Sequence, residues 1–339
     1  MKKKTFLLVV LGLMVAGAIY FAQSRKAGAA ITAKNIHILD TVNYVNESFK
    51  FENFAEEQDG YWLIQPQSPQ PDSAPVVVFL HGYSAYNPMV YGLWLEHLVQ
   101  QGRTIIFPRY QESIVSPGPE GFIPNVVTAI KDAWARLDSA GQVKPYKRGF
   151  MMIGHSFGGA IIANMLADYA QYELPPCLGA FYVSPGTGPV DDYILEDYRG
   201  ISSEVKMLIM VSDNDRVVQD VLGKKVFETA INTPNRNLVR QYADAHGEEE
   251  ITAGHLEVYA LNPPFDNGVH GYSYMRAQAS RLDQVDLYAY WKLFDALFEC
   301  VWENEHCEKA FGNTEAQRYM GEWSDGTPVR ELEISVPEG

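Results

Sequence analysis

The chain has 339 residues, of which 47% are hydrophobic and 20% are charged, and its formal net charge at pH 7 is −15. This length and composition predict a globular protein large enough to bury an extended core. The negative charge argues against nucleic acid as a partner, because phosphate binding requires clustered lysine and arginine, and it also argues against electrostatic docking on anionic lipid.

The first thirty residues have the pattern of an export segment. Lys2 to Lys4 precede an uninterrupted apolar stretch at 6–22, and both Ala16-Gly17-Ala18 and Ala27-Gly28-Ala29 suit signal peptidase. We expect residues 1–30 to be a signal peptide or, because the apolar stretch is at the lower limit of what spans a bilayer, an uncleaved N-terminal membrane anchor. The protein is therefore expected to be exported, and to be secreted, periplasmic or held at the outer face of the membrane.

Residues 31–339 are predicted to form a single α/β domain with a C-terminal extension, because strand-like and helix-like segments alternate without a dividing linker. This alternation predicts a mostly parallel central sheet with helices on both faces. The segment before the first central strand, with Tyr61 to Ile64, is expected to add antiparallel edge strands. The predicted elements are strands at 76–80, 104–107, 150–153, 179–183, 206–211 and 237–242, and helices at 91–101, 123–137, 160–170, 217–230 and 285–301.

A G-x-S-x-G motif, Gly154 to Gly158, lies between the strand at 150–153 and the next helix. Glycines on both sides of the serine permit the sharp strand-to-helix turn, a nucleophile elbow, that lifts the serine hydroxyl above a sheet. Ser156 is therefore the candidate nucleophile. The backbone N–H of Phe157, at the positive end of the helix, is a candidate donor to an oxyanion. His155 is expected to point away from Ser156 and to serve in packing or hydrogen bonding.

Other parallel strands end at the same edge of the sheet, and their ends supply further candidates. The first central strand ends in Leu80-His81-Gly82-Tyr83, where the backbone N–H of Tyr83 is the second candidate oxyanion donor. Asp215 follows the strand at 206–211 by a short turn and is the preferred acid of a Ser-His-Asp triad, with Asp213 as the alternative. The residues around this pair do not form a calcium-loop pattern, and no metal is predicted there.

Three histidines follow the last predicted strand, as the chain order serine, acid, histidine requires of the base. His246 comes soonest after the strand, and this short path favours it. His255 follows Thr252-Ala253-Gly254, and such small neighbours would let the imidazole approach the serine and leave space for a substrate. His255 is the preferred base, His246 is the alternative, and His270 is the third candidate.

The three cysteines predict one disulfide bond. Cys300 and Cys307 are close in sequence and flank a helix end, so we expect them to pair after export and to leave Cys177 buried before a strand. Three cysteines without a C-x-x-C motif do not predict a metal site.

These motifs together resemble the α/β-hydrolase superfamily over roughly residues 60–300. The residues that carry the resemblance are Leu80-His81-Gly82, the elbow at 154–158, Asp215 and a late histidine. The resemblance implies an α/β-hydrolase fold and a serine hydrolase that forms an acyl-enzyme on a small-molecule or polymeric ester, without a cofactor or a metal. The same triad would also serve a peptidase or an acyltransferase, and a surface binding protein could keep the fold without turnover.

Within the superfamily, the chain is similar to the lid-poor esterases of the dienelactone-hydrolase and polyester-hydrolase (cutinase-like) group. The short connection after Val183 and the aromatic residue after His-Gly carry this similarity, whereas the segments at 243–282 and 312–328 depart from the family pattern. An acyl pocket would be lined by aromatic residues near the strand ends, and Tyr83 and Phe157 are expected to touch the substrate. The candidates for this lining are Tyr83, Tyr86, Phe157 and Tyr182.

Overall fold

The computed structural model describes residues 43–113, 118–188, 190–247 and 250–337. The predicted export segment, residues 1–30, lies outside these ranges. Within them, no helix has the length and apolar character needed to cross a membrane.

Nine strands of the described residues form one mostly parallel sheet, in the spatial order β1-β2-β4-β3-β5-β6-β7-β8-β9. The six strands from β4 to β8 in this order are parallel to one another. At one edge β1 pairs antiparallel with β2 and β2 with β4, and at the other edge β9 pairs antiparallel with β8. The strands are β1 (Ser48–Phe54), β2 (Tyr61–Ser68), β3 (Ser73–Leu80), β4 (Thr104–Pro108), β5 (Lys144–His155), β6 (Cys177–Val183), β7 (Lys206–Ser212), β8 (Arg236–Gln241) and β9 (Glu333–Ser335).

Helices cover both faces of the sheet. They are α1 (Gly92–Gln100), α2 (Phe122–Leu137), α3 (Phe157–Ala167), α4 (Val221–Thr229), α5 (Tyr272–Ala277), α6 (Lys292–Trp302), α7 (Cys307–Phe311) and α8 (Glu315–Arg318). A π-helical segment, Val285–Trp291, leads into α6, and short 3₁₀ turns lie at Pro88–Tyr91, Pro119–Gly121, Tyr169–Tyr172, Asp191–Tyr193 and Pro263–Phe265. Helices α1 and α6 pack on one face of the sheet, and α2, α3 and α4 pack on the other.

The alternation of side chains along each strand divides the core into two layers. In β3, Val77 and Phe79 join the layer with α1 and α6, whereas Val76, Val78 and Leu80 join the layer with α2 and α3. All five side chains are fully buried. Burying one side chain of this size contributes about 1.5–3 kcal/mol, so a continuous apolar run is stable only where both faces of the strand are covered.

All predicted strands and helices are present, and the differences lie mainly at their ends. The helix predicted from residue 217 begins only at Val221. The carboxylate of Asp215 accepts the N–H groups of Val217 and Val218 and so holds these residues in a turn ahead of the helix. The antiparallel edge strands expected around Tyr61 are β1 and β2, whereas β9 at the opposite edge was not predicted.

The C-terminal extension packs back on the sheet. Cys300 in α6 and Cys307 in α7 form the predicted disulfide, and Cys177 is free and buried. After α8, Met320 and Leu332 join the core layer that contains residues of α6, and β9 pairs with β8.

Candidate active site

Ser156 lies on a strained turn between β5 and α3. Its φ is 54° and its ψ is −119°, a combination that L-residues rarely adopt. A Cβ on Gly154 would lie 2.7 Å from the backbone of Gly158, and a Cβ on Gly158 would lie 2.2 Å from the carbonyl oxygen of Leu80. Only glycine fits at these two positions, which is the steric reason for the sequence motif.

The imidazole of His255 lies between Ser156 and Asp215. Its Nε2 atom is 2.9 Å from the Ser156 hydroxyl oxygen, and its Nδ1 atom is 2.7 Å from Oδ2 of Asp215. An ionised carboxylate only accepts hydrogen bonds, so Nδ1 carries a hydrogen and the neutral ring presents the Nε2 lone pair to the serine. In this arrangement His255 can remove the serine proton, and Asp215 can stabilise the imidazolium that results.

The carboxylate of Asp215 is buried and held from two sides. Its Oδ1 atom accepts the N–H groups of Val217 at 2.8 Å and Val218 at 3.0 Å. Burial by itself raises the pKa of Asp215, but the hydrogen bonds from His255 and from these two amides outweigh it and hold the pKa below its ordinary value. Asp213, the alternative acid, is exposed to solvent.

The other two candidate bases lie away from the serine. The His246 ring bonds to Asp325 at 2.8 Å, and 43% of its side chain is exposed. The His270 ring bonds to Asp266 at 2.8 Å and is similarly exposed. Of the three histidines, the structure brings His255 to Ser156.

The loop that carries His255 is tied to the turn that carries the acid. The backbone N–H of Asn214 donates to the carbonyl of Ala253 at 3.2 Å, and its side-chain amide donates to the carbonyl of Thr252 at 3.2 Å. Ala253 is fully buried and has a φ of 45°, so a larger side chain would be hard to fit there. The small residues before His255 thus form a tight, anchored turn.

Two stretches of backbone flank the nucleophile. Phe157 is the first residue of α3, so its N–H has no acceptor one turn earlier in the helix. On the other side, a Cβ on Gly82 would lie 3.2 Å from the Cβ of Ser156, which shows how closely the loop after β3 approaches. Both stretches are therefore candidate sources of backbone donors to an oxyanion beside Ser156.

The loop after β3 is held on both sides of Tyr83. The N–H of Gly82 donates to the hydroxyl of Tyr91 at 2.8 Å, and the N–H of Ser84 donates to the side-chain oxygen of Gln111 at 2.7 Å. The peptide unit of Tyr83 is therefore fixed between two anchored neighbours.

The aromatic residues expected to line an acyl pocket differ in exposure. Tyr83 and Tyr86 are partly exposed, whereas Phe157 is 2% exposed and Tyr182 is fully buried. The first turn of α3 directs the Phe157 ring inward, where it packs against Phe122 of α2 with 5.2 Å between ring centroids. Tyr83 is therefore the more accessible of the two predicted contact residues, and contact of the Tyr83 and Phe157 side chains with a substrate stays a prediction.

His155 turns away from the Ser156 hydroxyl, as predicted. Its Nδ1 atom lies 2.9 Å from the hydroxyl of Tyr91, and its Nε2 atom lies 3.0 Å from the carbonyl oxygen of His255. Sequence reasoning missed Tyr91, because the local pattern marked it only as the start of a helix.

Among the described residues, no group of three or more His, Cys, Asp or Glu side chains is arranged to hold a metal ion.

No model of a known protein family matches the chain, and no curated protein matches it.

Proposed function

We propose that this chain is a serine hydrolase of the α/β-hydrolase superfamily that cleaves carboxylic esters. One observation carries the proposal: Asp215, His255 and Ser156 form a hydrogen-bonded row, with distances of 2.7 and 2.9 Å, that ends on a serine with strained backbone. Strain of this kind costs on the order of 1–3 kcal/mol, and it is concentrated at functional sites.

The positions of these residues in the sheet support the same proposal. Ser156 follows β5, Asp215 follows β7 and His255 follows β8, so they come in the chain order that triads have on the α/β-hydrolase fold. All three lie at the carboxyl ends of parallel strands, which is where open α/β sheets bind their ligands.

In the proposed reaction, the Ser156 oxygen attacks the acyl carbonyl carbon while Nε2 of His255 takes the serine proton. The tetrahedral intermediate then breaks its bond to the ester oxygen, and His255 returns the proton to the departing alcohol. A water molecule, deprotonated by His255, attacks the acyl-enzyme. The carboxylic acid leaves, and Ser156 regains its proton.

The backbone N–H groups of Tyr83 and Phe157 are the proposed donors to the oxyanion of both intermediates. Loss of one such donor typically costs about 2.7–4 kcal/mol of barrier. Asp215 keeps His255 in the required tautomer and stabilises the imidazolium formed during each proton transfer.

The proposed substrate is a small-molecule or polymeric ester, hydrolysed by the same mechanism as in the lid-poor esterases of the dienelactone-hydrolase and polyester-hydrolase group.

The Cys300–Cys307 disulfide and the basic and apolar pattern of residues 1–30 support an exported protein, because structural disulfides persist in oxidising compartments. The net charge of −15 is unfavourable for a nucleic-acid partner.

A panel of p-nitrophenyl esters of increasing acyl length tests the proposal on purified protein. We expect saturable release of p-nitrophenol that depends on acyl length and is lost in Ser156→Ala. Cleavage of peptides without cleavage of esters would point to a peptidase. Transfer of the acyl group to an added alcohol in preference to water would indicate an acyltransferase, and inertness towards every substrate would favour a binding protein.

A further inference from the structure

A second row of hydrogen bonds, beside the proposed triad, connects the loop after β3 to the loop that carries His255. The Gly82 N–H donates to the Tyr91 hydroxyl at 2.8 Å, and this hydroxyl lies 2.9 Å from Nδ1 of His155. The Nε2 atom of His155 lies 3.0 Å from the carbonyl oxygen of His255. The rings of Tyr91 and His155 are both buried, and the reaction described above uses neither of them.

The hydrogens in this row can be assigned from its carbonyl end. The carbonyl oxygen of His255 can only accept, so Nε2 of His155 carries a hydrogen. Burial holds the pKa of His155 well below its ordinary value, so the ring is neutral and Nδ1 has a free lone pair. The Tyr91 hydroxyl therefore donates to Nδ1 and accepts from Gly82.

We propose that His155 and Tyr91 are positioning residues that fix the distance between the catalytic base and the oxyanion donor. This inference rests on the proposed function, because it assigns a role within the same hydrolytic site. One end of the row holds the backbone of His255, whose ring faces Ser156, and the other end holds Gly82, whose neighbour Tyr83 is the proposed donor.

Packing leaves this row little freedom. A Cβ on Gly82 would lie 2.8 Å from Nδ1 of His155, so the loop backbone rests directly on the imidazole. The Tyr259 ring stands nearly perpendicular to both rings, with centroid distances of 5.4 Å to Tyr91 and 5.5 Å to His155. Since a misplacement of about 1 Å can cost about 100-fold in rate, a rigid frame of this kind has a direct kinetic consequence.

Tyr91→Phe is the most direct test, because it removes one hydroxyl and keeps the ring. The Gly82 N–H and Nδ1 of His155 would lose their partner, and we expect kcat for a p-nitrophenyl ester to fall about 10- to 100-fold. KM should change less than about threefold, because the oxyanion loop acts on the transition state rather than on the bound ester.

Tyr198→Phe is the matched control. Tyr198 is also fully buried, and its hydroxyl likewise accepts a backbone N–H, from Leu195 at 3.3 Å, and donates to a side-chain oxygen, of Asn164 at 3.2 Å. The two variants should lose similar stability, and Tyr198→Phe should keep the wild-type kcat. Equal kcat values for Tyr91→Phe and Tyr198→Phe would overturn the inference.

Variants at His155 test the other end of the row. Gln can keep a donor near the position of Nε2, so His155→Gln should recover part of the kcat lost in His155→Leu. The double variant Tyr91→Phe/His155→Leu should be no slower than the worse single variant, because both changes break the same row. Additive losses would contradict a shared row.

A side-chain nitrogen NMR spectrum of histidine-labelled protein gives a readout that does not depend on turnover. We expect His155 to be neutral, with its hydrogen on Nε2, from about pH 6 to pH 9. A hydrogen on Nδ1 would overturn the assignment of the row. An inactive wild-type protein with the expected spectrum would contradict the proposed function, whereas an active protein with the wrong tautomer would contradict this inference.

Discussion

Two rows of carboxylate, imidazole and hydroxyl can be compared within the described residues. The serine row consists of Asp215, His255 and Ser156. The tyrosine row consists of Asp295, His97 and Tyr44, and it is separate from the hydrogen bonds through Tyr91 and His155. In the serine row the two hydrogen-bond distances are 2.7 and 2.9 Å, and in the tyrosine row they are 2.9 and 3.1 Å. By hydrogen-bond connectivity alone, both would qualify as catalytic triads.

The surroundings of the tyrosine row are those of a structural anchor. Arg103 lies 2.6 Å from the Asp295 carboxylate, so this charge already has a cationic partner. The His97 ring is stacked on Trp291 at 4.4 Å between centroids. Burial, followed by the charge of Asp295, raises the pKa of the Tyr44 phenol, which keeps it protonated and weakly nucleophilic. The row therefore joins the segment before β1 to α1 and α6.

The serine row differs in the backbone around its hydroxyl. Ser156 has a strained conformation, and it lies between the start of α3 and the closely packed loop at Gly82. Fixed backbone donors beside a nucleophile can stabilise a developing oxyanion, whereas the Tyr44 phenol lies in the segment before β1. Elbow strain and nearby backbone, rather than the imidazole contacts, distinguish the proposed active site from the tyrosine row.

The largest expected effect separates the two hydroxyls. Ser156→Ala should lower kcat/KM for p-nitrophenyl butyrate by at least about 10,000-fold, because it removes the nucleophile, and the melting temperature should change little. Tyr44→Phe should leave kcat/KM within about twofold. A substantial loss of turnover in Tyr44→Phe would show that the tyrosine row also takes part in catalysis.

The carboxylates should separate in the same way. Asp215→Asn is expected to lower kcat by about 10,000-fold through loss of the required His255 tautomer, while Asp213→Asn and Asp295→Asn should leave kcat nearly unchanged. Initial rates on the same ester, normalised to folded protein, provide the measurement. A greater loss in Asp213→Asn would transfer the role of the acid to Asp213.

Local patterns predicted the features that depend on local physics. The central strands are continuous apolar runs because both of their faces are buried, and the elbow requires glycine at 154 and 158 for steric reasons visible in the motif. The choice of Asp215, which the structure pairs with His255, followed from its place just after β7. These features depend on residues that are adjacent in the chain.

Features that depend on distant parts of the chain were harder to predict. The choice between His246 and His255 depends on the path of a long loop, and the anchoring of Ala253 by Asn214 is not encoded in either local pattern. The three residues of β9 form a strand only because the edge of β8 is available. The contact between Tyr91 and His155 likewise joins elements 64 residues apart.

The tyrosine row should affect stability rather than turnover. Breaking a buried ion pair typically costs about 3–5 kcal/mol, and the partial exposure of Asp295 places the expected loss for Asp295→Asn nearer 3 kcal/mol. Urea unfolding at pH 7 measures this loss. An unchanged unfolding free energy would show that the row is not an anchor.

The pH dependence of the stability lost in Asp295→Asn provides a second measurement. Burial raises the pKa of Asp295, but the charges of Arg103 and His97 outweigh it and lower the pKa to about 2. Because the folded pKa lies below the unfolded value of about 4, the stabilisation is complete above pH 4 and disappears as the pH falls towards 2. The melting temperatures of wild type and Asp295→Asn should therefore converge in acid.

The smallest expected effect concerns the disulfide between Cys300 and Cys307. It closes a loop with a sequence separation of 7, so Cys300→Ser/Cys307→Ser should lower the unfolding free energy by at most about 3 kcal/mol. Ester turnover should be unchanged. Loss of turnover in a folded double variant would show that α6 and α7 contribute to the site.

Covalent labelling with a fluorophosphonate, followed by peptide mapping, is the most direct test of Ser156 as the nucleophile, because the reagent reacts with an activated serine and requires the base and the oxyanion donors together. We predict a single adduct on Ser156 in wild type, none in Ser156→Ala, and much slower labelling in His255→Ala. Labelling should remain at the wild-type rate in Tyr44→Phe. A wild-type protein that forms no adduct, or that is labelled at a residue other than Ser156, would contradict the assignment of Ser156 as the nucleophile.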